Sequence, residues 1–332
     1  MKQNNDEGFR AREYILFGTA TLIALLLCTC LGSVSIRMAD VFGAVWRALG
    51  REAGLGTADA IIVRVRLPRV LCTALVGASL SLSGAAMQGL LRNPLAEGST
   101  LGVSSGAALG AVIALAFGIT LPALPFAGTT LMAMLFAFIS LMIILALAYR
   151  FDNSLSTNTI ILIGVIFGMF ASSIMSLIIS FAGEKVKTIV FWTMGSLAGS
   201  TYINAITMLA VLAVCAALIF YRARELNAFA VGEDNARHVG VPVRRVKLVI
   251  MIACAALIGV SVSIGGSIGF VGLVVPHAVR LLVGPNHRRL LPASLFGGAI
   301  FLVLCDLVCR TLLSPLELPI GVMTSFIGSI AF

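Results

Sequence analysis

Residues 131–149 read LMAMLFAFISLMIILALAY, a run of 19 residues without a charged side chain. A helix of about 20 predominantly apolar residues is long enough to cross the hydrocarbon core of a bilayer. The surrounding segment, 126–149, is therefore predicted to be a membrane-spanning helix, and the same reasoning decides the fold class of the whole chain.

The composition agrees with a chain that lies mostly in lipid. Of 332 residues, 59% are hydrophobic and 11% are charged, whereas a soluble domain carries about 25% charged residues. The sequence predicts an all-α polytopic membrane protein with about ten transmembrane helices, in which residues 1–332 form a single transmembrane domain. The predicted spans are 14–34, 70–89, 99–118, 126–149, 159–181, 203–221, 246–264, 268–283, 290–311 and 319–332.

Lysine and arginine set the predicted orientation, because cytoplasmic loops carry an excess of them. The count favours a cytoplasmic amino terminus, and the expected location of this multi-pass protein is the bacterial inner membrane. The net charge of +9 lies in short clusters between apolar runs, so nucleic-acid binding is not predicted. Arg64, Arg66 and Arg69 depart from the bias and fall on the outer side. They would either dock an acidic partner or anchor a helix end by snorkelling, and the pattern alone does not decide.

Several kinds of chemistry have no candidate residues in this sequence. There is no GxxxxGK[ST] phosphate loop, and none of the four lysines follows a glycine. Three histidines are scattered along the chain, so neither a metal site nor a catalytic residue is predicted. Asp306 is the clearest carboxylate within a span, and Arg310 is expected to form a local i,i+4 ion pair with it.

The longest charged loop, at 222–247, reads RARELNAFAVGEDNARHVGVPVRRVK. It is predicted to form two short helices broken at Gly232 and Gly240. Glu233 and Asp234 would lie in the first turn of the second helix, where negative charge is favourable. A structured loop between two spans indicates a docking element, and an ordinary solvated connector is the alternative.

Six stretches of the chain, read in order, match one family. They are RVRLPR at 64–69, SGAAMQGLLRNPLAEGSTLGVSSGAALGA at 83–111, FWTMGSL at 191–197, VGEDNARHVGV at 231–241, GFVGLVVPHAVRLL at 269–282 and LPIGVMTSFIG at 318–328. With these motifs the chain resembles, over almost its full length, the FecCD-type ABC transporter permeases, which import iron-siderophores, haem and vitamin B12.

The resemblance implies a fold and a set of partners. The fold is a type II ABC importer permease of ten helices with both termini cytoplasmic. The partners are a second permease copy, two ATPase subunits that bind ATP and Mg, and a periplasmic or lipid-anchored solute-binding protein. This chain itself would bind no cofactor. An iron chelate is the expected cargo, and vitamin B12 is the alternative.

The resemblance also assigns roles to residues. The arginines that dock the binding protein correspond to Arg66, Arg69 and Arg310. The coupling loop that fits the ATPase corresponds to Gly232, Glu233, Asp234, Asn235, Ala236 and Arg237. The cytoplasmic gate corresponds to Asn93, Pro94 and Leu95, and the span at 159–181 resembles the helix that lines the pathway.

Two departures from the family pattern stand out. Gly98 replaces a proline that usually follows the LAE of the gate turn, and the last helix stops at Phe332 without the usual tail. Two rival functions are also considered. An ion-coupled secondary transporter would need no ATPase, and a membrane scaffold or receptor would carry no solute.

Overall fold

The computed structural model describes residues 8–32, 36–49, 56–98, 101–120, 127–152 and 156–331. In chain order the described helices are α1 (Ala11–Cys30), α2 (Met38–Leu49), α3 (Thr57–Ile61), α4 (Leu67–Leu91), α5 (Val103–Phe117), α6 (Ala127–Phe151), α7 (Thr157–Phe181), α8 (Val186–Thr193), α9 (Tyr202–Tyr221), α10 (Ala223–Phe229), α11 (Glu233–His238), α12 (Val243–Gly265), α13 (Val271–Val283), α14 (His287–Thr311) and α15 (Ile320–Ala331). A π-helical turn at Ile62–Arg66 joins α3 to α4, and a 3₁₀ turn at Gly183–Lys185 precedes α8.

Each of the ten predicted spans coincides with one helix, so the predicted all-α membrane fold is confirmed. Seven helical segments of the described chain are long and apolar enough to cross a bilayer, and α5, α13 and α15 are shorter apolar helices. Residues 33–34, 99–100, 126 and 332, which fall at the ends of four predicted spans, lie outside the described residues.

The centre of the bundle is α4, which packs against α9, α12, α13 and α14. Its apolar window is 89% buried, compared with 22% for α1 and 28% for α7. Glycines make this packing close: a Cβ on Gly84 would collide with the backbone of Gly272 on α13, and one on Gly77 would collide with Gly298 on α14. Small residues let helix backbones approach in lipid, which explains why α4 is surrounded on nearly every side.

The glycine-rich stretch between the seventh and eighth predicted spans is a break in the helix rather than a tight turn. Helix α12 ends at Gly265 and α13 begins at Val271. Gly266 and Phe270 both adopt positive φ, at 72° and 66°. The Phe270 ring packs so closely on α15 that a Cβ on Gly328 would overlap it. This break lets α13 start next to α15 instead of continuing the axis of α12.

Helix α2 is an element that the sequence analysis did not predict. Its Val41 and Ala44 are buried in a small cluster with Cys30 and Ile62. The opposite stripe consists of Met38, Phe42 and Trp46, which are 47%, 56% and 78% exposed and stand four residues apart. An ion pair of 2.8 Å between Arg47 and Asp59 holds α2 against α3.

We expect the exposed stripe of α2 to lie in the interfacial layer of the membrane, because Trp and other large apolar side chains anchor helices there. In a Trp192→Phe variant, Trp46 is the only remaining tryptophan. Lipids brominated near the headgroup should quench its fluorescence more strongly than lipids brominated near the chain ends. Trp46→Phe is the matched control and reports Trp192 alone. Quenching of Trp46 by aqueous acrylamide but by neither lipid would contradict this placement.

Candidate functional site

Two clusters of charged residues lie at opposite ends of the bundle. We call the end that carries Arg69 the outer end and the end that carries Glu233 the inner end, following the predicted orientation. At the outer end, five side chains from α4, α14 and the adjoining turns form what we call the arginine cluster. Its members are Arg66, Arg69, Asp306, Arg310 and Glu317.

Asp306 lies between two arginines in this cluster. Its Oδ1 accepts hydrogen bonds from Nε and Nη2 of Arg69 at 3.0 and 2.8 Å, and its Oδ2 lies 2.9 Å from Nε of Arg310. The Nη1 of Arg69 donates to both carboxylate oxygens of Glu317, at 3.0 and 2.9 Å. The predicted Asp306–Arg310 pair is confirmed. Its second partner, Arg69, is 237 residues away in sequence and was not predicted.

Arg66 and Arg310 cap the end of α1. Arg310 Nη2 donates to the carbonyl of Cys28 at 3.0 Å, and Arg66 Nη1 donates to the carbonyls of Thr29 and Cys30 at 3.1 and 3.2 Å. The last four carbonyls of a helix have no partner within the helix, and cations are favourable at that end. Arg66 and Arg310 therefore tie α1 to α4 and α14.

The sequence predicted an outward-facing group of arginines, and the structure corrects this in part. Arg64 is exposed, whereas Arg66, Arg69 and Arg310 are only 8%, 7% and 6% exposed. The physical reason is that their guanidinium groups meet helix carbonyls and Asp306 instead of water. Docking by these three residues stays a prediction.

At the inner end, the charged loop folds as the two predicted short helices, α10 and α11. Gly232, at φ 128°, is the N-cap of α11, and Glu233 and Asp234 lie in its first turn. Glu233 Oε1 is 2.6 Å from Nζ of Lys247, whose side chain is fully buried, and it also accepts a hydrogen bond from Oγ1 of Thr157 at 3.2 Å. This carboxylate thus fastens α11 to α12 and α7.

The neighbouring residues of α11 have a different environment. The side chain of Asp234 is 86% exposed and that of Arg237 is 50% exposed, and they pair at 3.2 Å. Asn235 donates to a backbone carbonyl four residues earlier, and Ala236 is buried beneath them. Of the predicted coupling residues with charged side chains, Asp234 and Arg237 face outward, while Glu233 is an internal anchor.

The predicted gate residues form a compact turn after α4. Arg92 ends the helix in the left-handed conformation, at φ 50°. The Asn93 side-chain oxygen accepts the N–H of Leu95 at 2.9 Å, and Pro94 and Leu95 are exposed. Arg92 Nη1 lies 3.9 Å from the position that a Cβ on Gly232 would occupy. The fold therefore brings the gate turn next to the coupling loop.

Two further polar residues anchor this region to α13, and sequence reasoning missed both. Glu97 Oε2 accepts the N–H of Phe270 at 3.2 Å, at the start of α13. Gln88, buried in α4, accepts a hydrogen bond from Nη2 of Arg280 at 2.7 Å. Their partners are 173 and 192 residues away, so nothing in the local pattern indicates them.

Helix α7, the predicted pathway helix, presents a large and weakly polar surface. Ser173, Ser176 and Ser180 are exposed, and each hydroxyl donates to the carbonyl four residues earlier at 3.0, 3.0 and 2.9 Å. Met169 and Phe170 are 68% and 61% exposed on the same helix. Within the described part of the chain, no three His, Cys, Asp or Glu side chains converge as a metal site.

The fold and these two ends define the class of protein: a membrane-spanning permease subunit of an ATP-binding cassette importer. The chain belongs to the FecCD transport family, whose sequence pattern matches residues 20–332. The predicted family is thereby confirmed. In such importers the permease is a transport component and separate ATPase subunits hydrolyse ATP.

Individual relatives agree with this assignment. The chain is 41% identical over 273 residues to the cobalamin import system permease protein BtuC of Halobacterium salinarum, covering 82% of this chain and 72% of the relative. It is 35% identical over 323 residues to the molybdate import system permease protein MolB of Haemophilus influenzae, covering 96% and 94%. A solved structure reported as an inward-facing metal-chelate type ABC transporter superposes with a TM-score of 0.84 at 30% identity, covering 97% of both chains.

Proposed function

We propose that two copies of this chain, with two ATPase subunits and a solute-binding protein, import a metal-bearing organic chelate across the bacterial inner membrane. The amino terminus would lie in the cytoplasm. Family membership supports the assembly. The observation that carries the pathway is the open face of α7.

The exposed face of α7 is suited to a pathway wall that a second copy completes. Its buried line is narrow and consists of Ile160, Ile163, Gly164 and Ala171. The hydroxyls of Ser173, Ser176 and Ser180 donate to carbonyls of their own helix, so they offer a weakly polar surface rather than strong binding groups. Large exposed apolar patches on one chain mark contact with lipid or with another subunit. A two-fold related copy of α7 would enclose a cavity whose walls hold a bulky cargo only weakly.

The cargo is proposed to be an organic complex rather than a bare ion. The arginine cluster engages its own carboxylates, and the α7 wall offers hydroxyls and apolar side chains instead of a relay of ionisable groups, which ion pathways normally use. An iron chelate is the cargo expected from the sequence. Cobalamin is supported by the BtuC relative, so both chelates are candidates.

The mechanism joins the two ends of the bundle. A loaded binding protein would settle on the arginine end, where opposite charges orient its approach. Closure of the ATPase subunits would press on α11, whose exposed Asp234 and Arg237 offer contacts. Because the turn at 93–95 lies next to that loop, the movement would reach the gate directly, and packed helices would shift as rigid bodies.

Reconstitution tests this proposal. Proteoliposomes that contain the permease and its ATPase, with candidate binding proteins added, should show ATP-dependent uptake of cobalamin or of a ferric siderophore. Vesicles without the ATPase are the control and should show none. Uptake driven by an ion gradient alone would instead support a secondary transporter. Uptake of molybdate but of neither chelate would refute the proposed cargo class, and no uptake of any solute would favour a scaffold.

A further inference from the structure

The two carboxylates of the arginine cluster differ sharply in their access to solvent. The side chain of Asp306 is 2% exposed and that of Glu317 is 45% exposed, although both contact the same Arg69. Arg69 itself is 8% exposed at its side chain. The cluster therefore contains one buried ion pair, Arg69–Asp306, and one half-exposed ion pair, Arg69–Glu317.

The guanidinium of Arg69 is divided between these two partners. Its Nε and Nη2 are held by Asp306, and its Nη1 is held by Glu317. Breaking a buried ion pair by removing one partner is strongly destabilising, because it leaves an uncompensated buried charge, whereas a solvent-exposed ion pair contributes little to stability. The contact with Glu317 is thus the one that a competing carboxylate can replace, while Asp306 keeps the guanidinium in place.

We propose that Glu317 is a displaceable counter-ion that occupies the docking position on Arg69 until the solute-binding protein arrives. A carboxylate of that protein would take Nη1 of Arg69, and Glu317 would turn out into water. This inference rests on the proposed function, since it needs a binding protein that docks at the arginine end. The charge balance favours it, because the cluster holds three guanidinium groups and two carboxylates, and displacement of Glu317 leaves Asp306 as the single carboxylate of the cluster.

The exchange also has a structural consequence, because Glu317 lies in the segment between α14 and α15. That segment continues into backbone hydrogen bonds from Ile320 to the carbonyl of Gly195 and from Gly321 to the carbonyl of Met194, both at 3.1 Å. Release of Glu317 removes a side-chain tether between α4 and the segment that leads into α15. Docking at the surface would therefore loosen the start of a helix that reaches into the bundle.

The test is the affinity of the solute-binding protein for the permease–ATPase complex in lipid nanodiscs. Glu317→Gln should tighten binding by about 2- to 5-fold, the factor that corresponds to loss of an exposed competing ion pair. Glu184→Gln is the matched control: it removes one exposed carboxylate from the 3₁₀ turn after α7, also at the outer end but outside the cluster, and should change the affinity much less.

The alternatives give different results. Weaker or unchanged binding in Glu317→Gln, with binding lost in Arg69→Gln, would overturn the exchange while leaving the docking role intact. Equal tightening in Glu184→Gln would overturn it as well, because long-range charge would then suffice. Unchanged affinity in both cluster variants would contradict docking at this cluster. Arg69→Lys, which keeps the charge but not the forked geometry, replaces Arg69→Gln if that variant does not assemble.

Discussion

Asp306→Asn should lower the free energy of unfolding of this protein by about 3–5 kcal/mol, the range for a buried ion pair that loses one partner. The carboxylate is 2% exposed and lies between Arg69 and Arg310. Asparagine keeps its size but removes the charge that balances two buried guanidinium groups. Unfolding by SDS titration in mixed micelles, followed by circular dichroism, measures the change.

Glu317→Gln is the matched comparison for this prediction, because it removes the other carboxylate that contacts Arg69. With its side chain 45% exposed, we expect a loss of at most about 1 kcal/mol. Equal effects of the two substitutions would show that burial does not set the strength of these pairs. A stable Asp306→Asn protein would mean that water or lipid headgroups reach the arginines.

Glu233→Lys should abolish ATP-driven uptake while leaving the membrane bundle folded. The substitution places a second cation beside Lys247, which is fully buried and is 2.6 Å from the present carboxylate. Like charges repel strongly where water is excluded, and the hydrogen bond from Thr157 is lost as well. Helix α11 should therefore detach from α12. Uptake per ATP hydrolysed in proteoliposomes, together with co-purification of the ATPase, measures the result.

Asp234→Lys is the matched control at the next position. Because its side chain is 86% exposed and pairs with the half-exposed Arg237 of the same helix, the reversal should leave α11 in place. We expect weaker ATPase association and only a partial loss of uptake. Complete loss of uptake in Asp234→Lys with normal uptake in Glu233→Lys would reverse the roles assigned to these two acids.

The spans were predictable because the signal for a membrane helix is local. The length and apolarity of a run such as 131–149 can be read directly from its own residues, and all ten spans were predicted in this way. Helix α2 was missed since its apolar stripe is short and is interrupted by Asp40 and Arg47. Its position depends on the packing of Val41 and Ala44 against Cys30 and Ile62. Contacts between such separate segments cannot be predicted from a short stretch of sequence.

The candidate sites were predicted by resemblance, but their electrostatics were not. The sequence placed Arg66 and Arg69 at the start of a helix, as the structure does. It could not show that their side chains turn inward, because Asp306 and the end of α1 are distant in sequence. Glu233 and Asp234 are adjacent and chemically alike. Only the ion pair with Lys247 distinguishes the internal Glu233 from the exposed Asp234. In the sequence Lys247 is simply a lysine at the start of an apolar run, so this pairing could not be predicted.

Helix α4 carries Arg69 in its first turn and the gate residues directly after its last. At 25 residues it is about 37 Å long, and close glycine contacts clamp it along its length. A rigid helix of this length would carry a tilt at its outer end to its inner end, where the gate turn follows it. Coupling between the two sides of the membrane would then need no continuous network of side-chain contacts, because one end of a rigid helix cannot move without the other.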